Sequence, residues 1–499
     1  MGTRWHVARH IKVLCALVFL SSGLQTAAYS ETDAAPVYRL SWDGRSTILT
    51  VDISYRATAG KTSFSFVNDI GNSKSIFKKL YHIKVDGGGT FEIDSAKRSI
   101  VISHHKAGGH QLHYEVDGNM VIDPKNATIH ELFQPIIEPG RLRIKAINFL
   151  LKQDSTKAKN IIVEWGQKPP ALPYFVSLSP EATLNSTLTV PKADFDNLIF
   201  FYGDDLRIKK FKVRGNPYYE IVSARDTIND METSLQPFFS TFFPRSYDFW
   251  QDKKPNTYFL FSAPFYTPGQ TVNTGFAAGN HGFVMIYQGK YTLNNTMIVA
   301  HETSHKWIGG ELRIKDEGER YTWFSEGVND YITYYLLAGT GMMGKEDFVA
   351  EANKNRFEAL YKNPVNGLHT DSLAKHFWDG YNYIQISYQR GFLYGFVLDN
   401  QIRLAWGGKK TIRDFLIALL AKERADHEGQ LTYQDYLNVG AQFLPKRQLM
   451  ADIEEYMIQG KLYDLSKIKL INGFHFTYHN NIPSLSIDSS VNIKETYKW

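Results

Sequence analysis

The stretch that most constrains this chain is residues 295–310, N-T-M-I-V-A-H-E-T-S-H-K-W-I-G-G. Met297, Ile298, Val299 and Ala300 run straight into His301, Glu302 and His305, and Gly309 and Gly310 predict the end of a helix there. Titratable side chains in so apolar a helix are costly to bury unless they are paired or bind a metal. Positions four apart share a helix face, so His301 and His305 can offer two imidazoles to one metal ion. Glu302 can then reach a water held beside that ion. In a chain of this length H-E-x-x-H arises by chance in on the order of a few per cent of cases, so the pattern calls for a third ligand.

Residues 323–332, W-F-S-E-G-V-N-D-Y-I, begin a second apolar-periodic helix that supplies one, with twenty residues between His305 and Glu326. Two histidines and a glutamate are a donor set for one catalytic Zn²⁺, with a fourth position open to water. The plain alternative for Glu326 is a solvated acid at the positive end of a helix dipole. Trp323 and Phe324 before it predict burial instead. Asp330 lies one turn further on the same face, placed to accept the free ring N–H of His301 or His305 and so fix its tautomer. The two helices must therefore be neighbours.

At 499 residues the chain is long enough for two or three domains with substantial cores. Residues 1–30 are expected to be an export signal. Arg4, Arg9 and Lys12 form a basic start, an apolar run covers 13–24, and Ala28-Tyr29-Ser30 suits cleavage. That run is short for a bilayer and no later stretch is longer, so no stable membrane span is expected after processing. The protein is thus expected to be exported, either periplasmic or secreted. The single cysteine, Cys15, lies in the signal, which leaves the remainder without disulfide or thiol chemistry. Three of the five net positive charges also lie there, and the remaining +2 is no nucleic-acid footprint.

From 31 to 193 the pattern is β: 47–55, 99–103 and 160–165 alternate or run apolar, and glycine clusters at 86–89 and 107–109 punctuate them. An antiparallel sandwich or saddle-shaped domain is expected. His104, His105, His110 and His113 fall here without a convergent acid and read as ordinary surface histidines. A catalytic domain of mixed strands and helices is expected over 194–440, opening with a strand at 197–203. Within it, helical period from 228 is expected to close at Pro244. Residues 275–282, G-F-A-A-G-N-H-G, form a glycine-rich bend leading into a strand at 283–287, which suits an extended peptide docking on a sheet edge at Gly279, Asn280, His281 and Gly282. Helices follow at 384–398 and 411–422, and 441–499 reads as a helical and β tail. The expected class is multidomain α+β.

With these pieces placed, the chain resembles the zinc aminopeptidases of the gluzincin superfamily, among them aminopeptidase N, leukotriene hydrolase and the bacterial glycyl aminopeptidases. The resemblance rests on His301-Glu-Thr-Ser-His305-Lys-Trp307, Trp323-Phe-Ser-Glu326-Gly327 and Ser387-Tyr388-Gln389-Arg390-Gly391. It covers roughly 35–440 and is specific around 270–395. It implies a thermolysin-like catalytic domain with a helical C-terminal part and peptide hydrolysis by metal-activated water, with Glu302 as general base. Tyr388, which matches the tyrosine of the family's Tyr-x-Lys-Gly segment, is implied to stabilise the oxyanion.

Three departures carry information. Twenty residues separate the second histidine from Glu326 where the aminopeptidase N pattern has eighteen, and an insertion at 315–320 would absorb the difference. The stretch after 440 is too short for the PDZ domain that glycyl aminopeptidases usually carry. The family's glutamate in G-A-M-E-N or G-G-L-E-H holds the substrate's α-amine, whereas Phe276-Ala-Ala-Gly279-Asn280-His281 has no carboxylate. A buried ammonium would lack its partner there, so another acid must substitute, or internal bonds and blocked termini must be accepted. Two other classes stay open: a non-catalytic peptide-binding protein that retains the fold, and hydrolysis of a small non-peptide substrate at the same metal.

Overall fold

The computed structural model describes residues 34–57, 60–67, 76–87, 89–119, 134–154, 156–223, 231–253, 257–264, 273–315, 320–377, 379–426 and 431–499. The expected export signal lies outside the described residues.

Alternating sequence makes the first region. In the strand Ile48–Ala57, Leu49, Val51, Ile53 and Tyr55 turn inward. It sits in a six-stranded sheet ordered Leu188–Pro191, Asn160–Trp165, Val37–Ser41, Ile48–Ala57, Gly108–Asp117, Leu80–Val85. Two four-stranded sheets share its core: Phe64, Ile100 and Ile102 come from one, and Leu142, Ile144 and Phe200 from the other. The antiparallel expectation needs one correction, because Val37–Ser41 pairs in parallel with Asn160–Trp165. The strand Ile199–Gly203 pairs with Arg141–Lys145 and Tyr174–Val176, so it is hydrogen-bonded to strands before it rather than to those after. His104 is buried rather than at the surface. Its ring lies 4.1 Å from that of His110, and Thr62 holds its Nε2 at 3.1 Å.

The second region is built on a five-stranded sheet, ordered Leu206–Val213, Asn216–Ser223, Tyr258–Pro264, Gly282–Tyr287, Asn273–Ala277. The three inner strands are parallel and the two outer strands antiparallel. Strands covered on both faces need apolar residues throughout, which is why 258–263 and 282–287 read as unbroken runs. Tyr258, Leu260, Phe283 and Met285 face the helices, while Phe259, Phe261, Val284 and Ile286 face Phe175 and Phe201 of the first region. Part of the expected bend is in fact the edge strand Asn273–Ala277, leaving only 278–281 as the turn. Glycine is required on both sides: a Cβ on Gly275 would lie 2.1 Å from the Phe283 ring, and one on Gly282 would lie 2.2 Å from Phe259.

The helix that starts at Met231 does not stop at Pro244. It runs through a π-helical turn, Phe238–Phe242, into Phe243–Phe249. The wider turn puts Pro244 at the head of the next α-helical stretch, where its missing N–H costs no ladder bond. The remaining helices include Leu293–Ser304, Asn329–Thr340, Tyr381–Ala405 and Ile412–Asp426, and the hairpin Phe474–His479 with Ile482–Ile487 follows them. No helix among the described residues is long and apolar enough to cross a membrane.

Candidate active site

The helix Leu293–Ser304 lies beside the edge strand and carries His301 and Glu302; His305 is its C-cap. Thr292 and Asn295 form a capping box at its start. The helix ends before Gly309 and Gly310, earlier than expected, since Lys306, Trp307 and Ile308 turn back onto Thr303 and Ser304. The tightened turn brings the Ile308 carbonyl within 3.0 Å of His305 Nδ1. Gly309, at φ +84°, then closes the bend where a Cβ would lie 3.1 Å from that same nitrogen. Trp307 donates its Nε1–H to the buried carboxylate of Asp252 at 3.1 Å, anchoring the segment from behind.

Glu326 comes from a π-helical stretch, Trp323–Val328, that continues into Asn329–Thr340. Two glycines let it meet the helix Tyr381–Ala405 at backbone contact. A Cβ on Gly327 would lie 2.4 Å from Gly391 Cα, and one on Gly391 would lie 1.9 Å from the Trp323 carbonyl oxygen. That contact sets Glu326 and Tyr388 on one side of the pocket. Asn329 adds a tie, donating to the His301 carbonyl at 3.0 Å.

His301, His305, Glu302, Glu326, Asp330 and Tyr388 are all buried, between 3 and 8 % exposed. His301 Nε2 and His305 Nε2 are 3.1 Å apart, and Glu326 Oε2 lies 3.3 Å from the first and 3.4 Å from the second. His301 Nδ1 is 3.2 Å from Asp330 Oδ1, and His305 Nδ1 faces the Ile308 carbonyl. With each Nδ1 turned to an acceptor, the Nε2 atoms are the ones left to face Glu326 and each other, and in a neutral ring that nitrogen presents a lone pair. Two ring nitrogens and a carboxylate oxygen thus converge on one point, an arrangement that a shared proton or a metal ion in its place would relieve. A tetrahedral ion with bonds of about 2.0–2.2 Å separates neighbouring ligands by about 3.3–3.6 Å, close to the 3.1–3.4 Å seen here. The donor set therefore fits Zn²⁺.

Charge at the pocket points the same way. Burial opposes protonation of His301, but the Asp330 and Glu326 carboxylates outweigh it and raise its pKa to about 9. Burial likewise disfavours charge on Glu326, yet the two imidazoles hold its carboxyl well below the usual range. Glu302 is raised, chiefly by burial, and its Oε2 is a buried oxygen without a hydrogen-bond partner. Its ligand atom and those of the two histidines lie within 4.8 Å of one another, but Glu326 is the acid in contact with both rings. Tyr388 stacks on His301 at 5.6 Å and hydrogen-bonds Glu326; burial and the nearby carboxylates keep its hydroxyl protonated.

The glycine-rich turn packs against residues 194–197, whose Phe195 belongs to the core of the first region. Gly279, at φ +56°, is packed against Asn197, where a Cβ would lie 2.8 Å from Nδ2. His281 Nε2 is 3.9 Å from Asp194 Oδ1, and burial lowers its pKa against the pull of Asp194. Gly282 is extended backbone at the start of its strand, and the side chain of Asn280 lies outside the described residues. The insertion expected at 315–320 falls largely on 316–319, also outside them.

Arg356 is the residue sequence reasoning missed: its guanidinium pairs with Asp330 from the far side. A single arginine in a helical stretch carries no signal of that partner.

No protein-family model matches this chain, and no curated protein sequence matches it. Solved structures do. An aminopeptidase N family protein from Idiomarina loihiensis superposes with a TM-score of 0.70 at 12 % identity, covering 89 % of this chain and 79 % of that one. An M1 zinc metallopeptidase from Deinococcus radiodurans, in a variant bound to a Tyr-Ser-Ala substrate, gives 0.51 at 13 % identity over 91 % of this chain and 99 % of its own. The chain shares its fold with these aminopeptidase N family and M1 metallopeptidase structures. Within it, the overlap extends through the strand-built first region as well as the helices around His301 and Glu326.

Proposed function

We propose that this protein is a zinc-dependent peptidase. One observation carries the reading: three metal-ligating atoms from His301, His305 and Glu326 converge at 3.1–3.4 Å, with Glu302 beside them. Those three residues would hold a single Zn²⁺. What zinc supplies to such a donor set is Lewis acidity, which polarises a scissile carbonyl and makes water a nucleophile near neutral pH.

The chain's own groups do the rest. Glu302, raised toward working pH by its burial, takes the proton of the attacking water and returns it to the leaving amine, a role worth roughly 10²–10⁴ in rate. Tyr388, held as a phenol, donates to the oxyanion as the carbonyl carbon becomes tetrahedral. Asp330 keeps His301 in the tautomer whose Nε2 is a donor to metal. The substrate backbone adds to the edge strand Asn273–Ala277 as a further strand, the recognition mode such an edge supports. Export to the periplasm or medium is supported by residues 1–30 alone.

Recognition of a peptide N-terminus is where this chain parts from its fold relatives. The turn at 278–281 has no carboxylate of its own, and the acid beside it is Asp194, from the first region. We assign Asp194 as the group that meets a substrate ammonium. The test is cleavage of paired peptides with free and acetylated N-termini, read by mass spectrometry with and without chelator. Chelator-sensitive cutting is expected, with a preference for free termini that Asp194→Asn removes. Equal cutting of both peptides would retire the aminopeptidase assignment, and cutting indifferent to chelator would retire the metal.

A further inference from the structure

The polar contacts around His301 do not end at Asp330. Asp330 is 4 % exposed and both its carboxylate oxygens are engaged on opposite sides: Oδ1 with His301 Nδ1 at 3.2 Å, Oδ2 with the Arg356 guanidinium. Arg356 sits in a π-helical stretch, Ala352–Glu358, that belongs to neither metal-site helix. Its guanidinium is held in a cage: the Tyr334 ring lies 5.8 Å below it, the Phe392 ring 5.9 Å away, and Nη1 donates to the Asn355 carbonyl at 3.0 Å. Tyr334 belongs to the helix that follows Glu326, and Phe392 to the helix that bears Tyr388.

We propose that Arg356 is a positioning residue for the metal site: by fixing the Asp330 carboxylate it fixes the ring orientation and tautomer of His301. The physical ground is a choice that Asp330 would otherwise have. A buried aspartate next to an imidazole can swing to share its proton through either oxygen, or can take the proton itself. A guanidinium on Oδ2 commits that oxygen and leaves Oδ1 alone to accept from Nδ1–H. His301 Nε2 is then a lone-pair donor aimed at His305 Nε2 and Glu326 Oε2, and the convergence of the three atoms follows. Burying the Arg356–Asp330 pair for packing alone would gain little, since an apolar pair of similar volume serves a core at least as well. A third element thus reports on the ligand geometry without touching the ligand.

This inference rests on the zinc reading, and the experiment separates the two. Zinc affinity is measured by chelator competition for the full chain and for Arg356→Gln, Arg356→Lys, Asp330→Asn and the double variant Asp330→Asn/Arg356→Gln. The Co²⁺-substituted protein gives the d–d spectrum of each. Arg356→Gln is expected to weaken zinc binding by about 10-fold, within the range seen for groups that orient a ligand, and to shift the cobalt bands. Arg356→Lys should retain part of the affinity. In the Asp330→Asn background, removing the arginine should cost almost nothing more, because its effect runs through that carboxylate. Unchanged affinity and spectrum in Arg356→Gln, or an equal loss in both backgrounds, would overturn the proposal. Should Arg356→Gln not fold, Arg356→Lys in the two backgrounds makes the same comparison. A wild-type chain that takes up no zinc would instead remove the metal reading itself.

Discussion

At the scale of single residues, the proposed function divides the site into groups that would hold a cation and groups that would move protons. Glu302→Gln keeps the shape and the metal ligands while removing the base, so zinc content should stay at one ion per chain as turnover falls by about 10²–10⁴. Near-normal turnover would remove Glu302 from the mechanism. Tyr388→Phe deletes one hydroxyl from a buried ring; kcat should fall by about 10²–10³ with KM and zinc content little changed. A drop in melting temperature with proportionate loss of zinc would mark Tyr388 as a packing residue. A different residue reports on pH. Burial and the neighbouring His110 lower His104 from 6.5 to about 4. A group whose protonated form the fold disfavours stays neutral in the native state while the unfolded chain picks up its proton, so stability is lost as pH falls from 6.5 toward 4. In His104→Gln the midpoint of acid unfolding should move to lower pH, measured by circular dichroism across that window. That His301 shares a helix face with His305, and Glu326 with Asp330, was legible in the sequence because each pair sits four apart, and Glu302 follows His301 directly. Arg356 was not, since its contact with Asp330 depends on how a separate helical stretch packs across Tyr334 and Phe392.

Secondary structure elements reach this site through close approach. Gly327 and Gly391 let the Glu326 and Tyr388 helices touch at backbone distance. Gly391→Ala puts a methyl onto the Trp323 carbonyl, and overpacking of this kind typically costs about 1–3 kcal/mol. The expected outcome is a lower melting temperature together with faster zinc loss to chelator, because spreading the helices moves Glu326 away from the imidazoles. Unaltered zinc release would show that the ligand geometry does not depend on this crossing. Element types were readable from periodicity, and their ends less so. The His301 helix stops at Ser304 because the Ile308 carbonyl turns in toward His305, and the helix from Met231 passes Pro244 because a π-turn absorbs it. Both departures are local backbone turns that hydrophobic periodicity does not register. Gly275 looked like part of a bend for a related reason: a glycine in an edge strand is demanded by the Phe283 ring packed over it.

For the molecule as a whole, the alternating sequence of the first region and the unbroken apolar strands of the second were enough to give an α+β chain of two sheet systems. The sequence did not reveal that Ile199–Gly203 pairs backward into the first region, nor that Phe175, Phe201, Phe259 and Phe261 join the two regions through one apolar layer. That layer brings Asp194 to the turn beside the helix of His301, and under the proposed function substrate selection would be shared between regions far apart in sequence. Zinc binding should also be visible as global stability: at free zinc 100-fold above Kd, the native state gains about 2.7 kcal/mol over the metal-free chain. Calorimetry with graded chelator should trace that gain, and a melting temperature indifferent to zinc would contradict it.

The most direct measurement is anomalous diffraction at the zinc edge from crystals of the purified chain. One peak is expected, within about 2.0–2.2 Å of His301 Nε2, His305 Nε2 and a Glu326 carboxylate oxygen, with Glu302 close by but not bonded. Zinc-supplemented crystals with no peak there, or with the ion on other residues, would contradict the metal centre and the peptidase built on it.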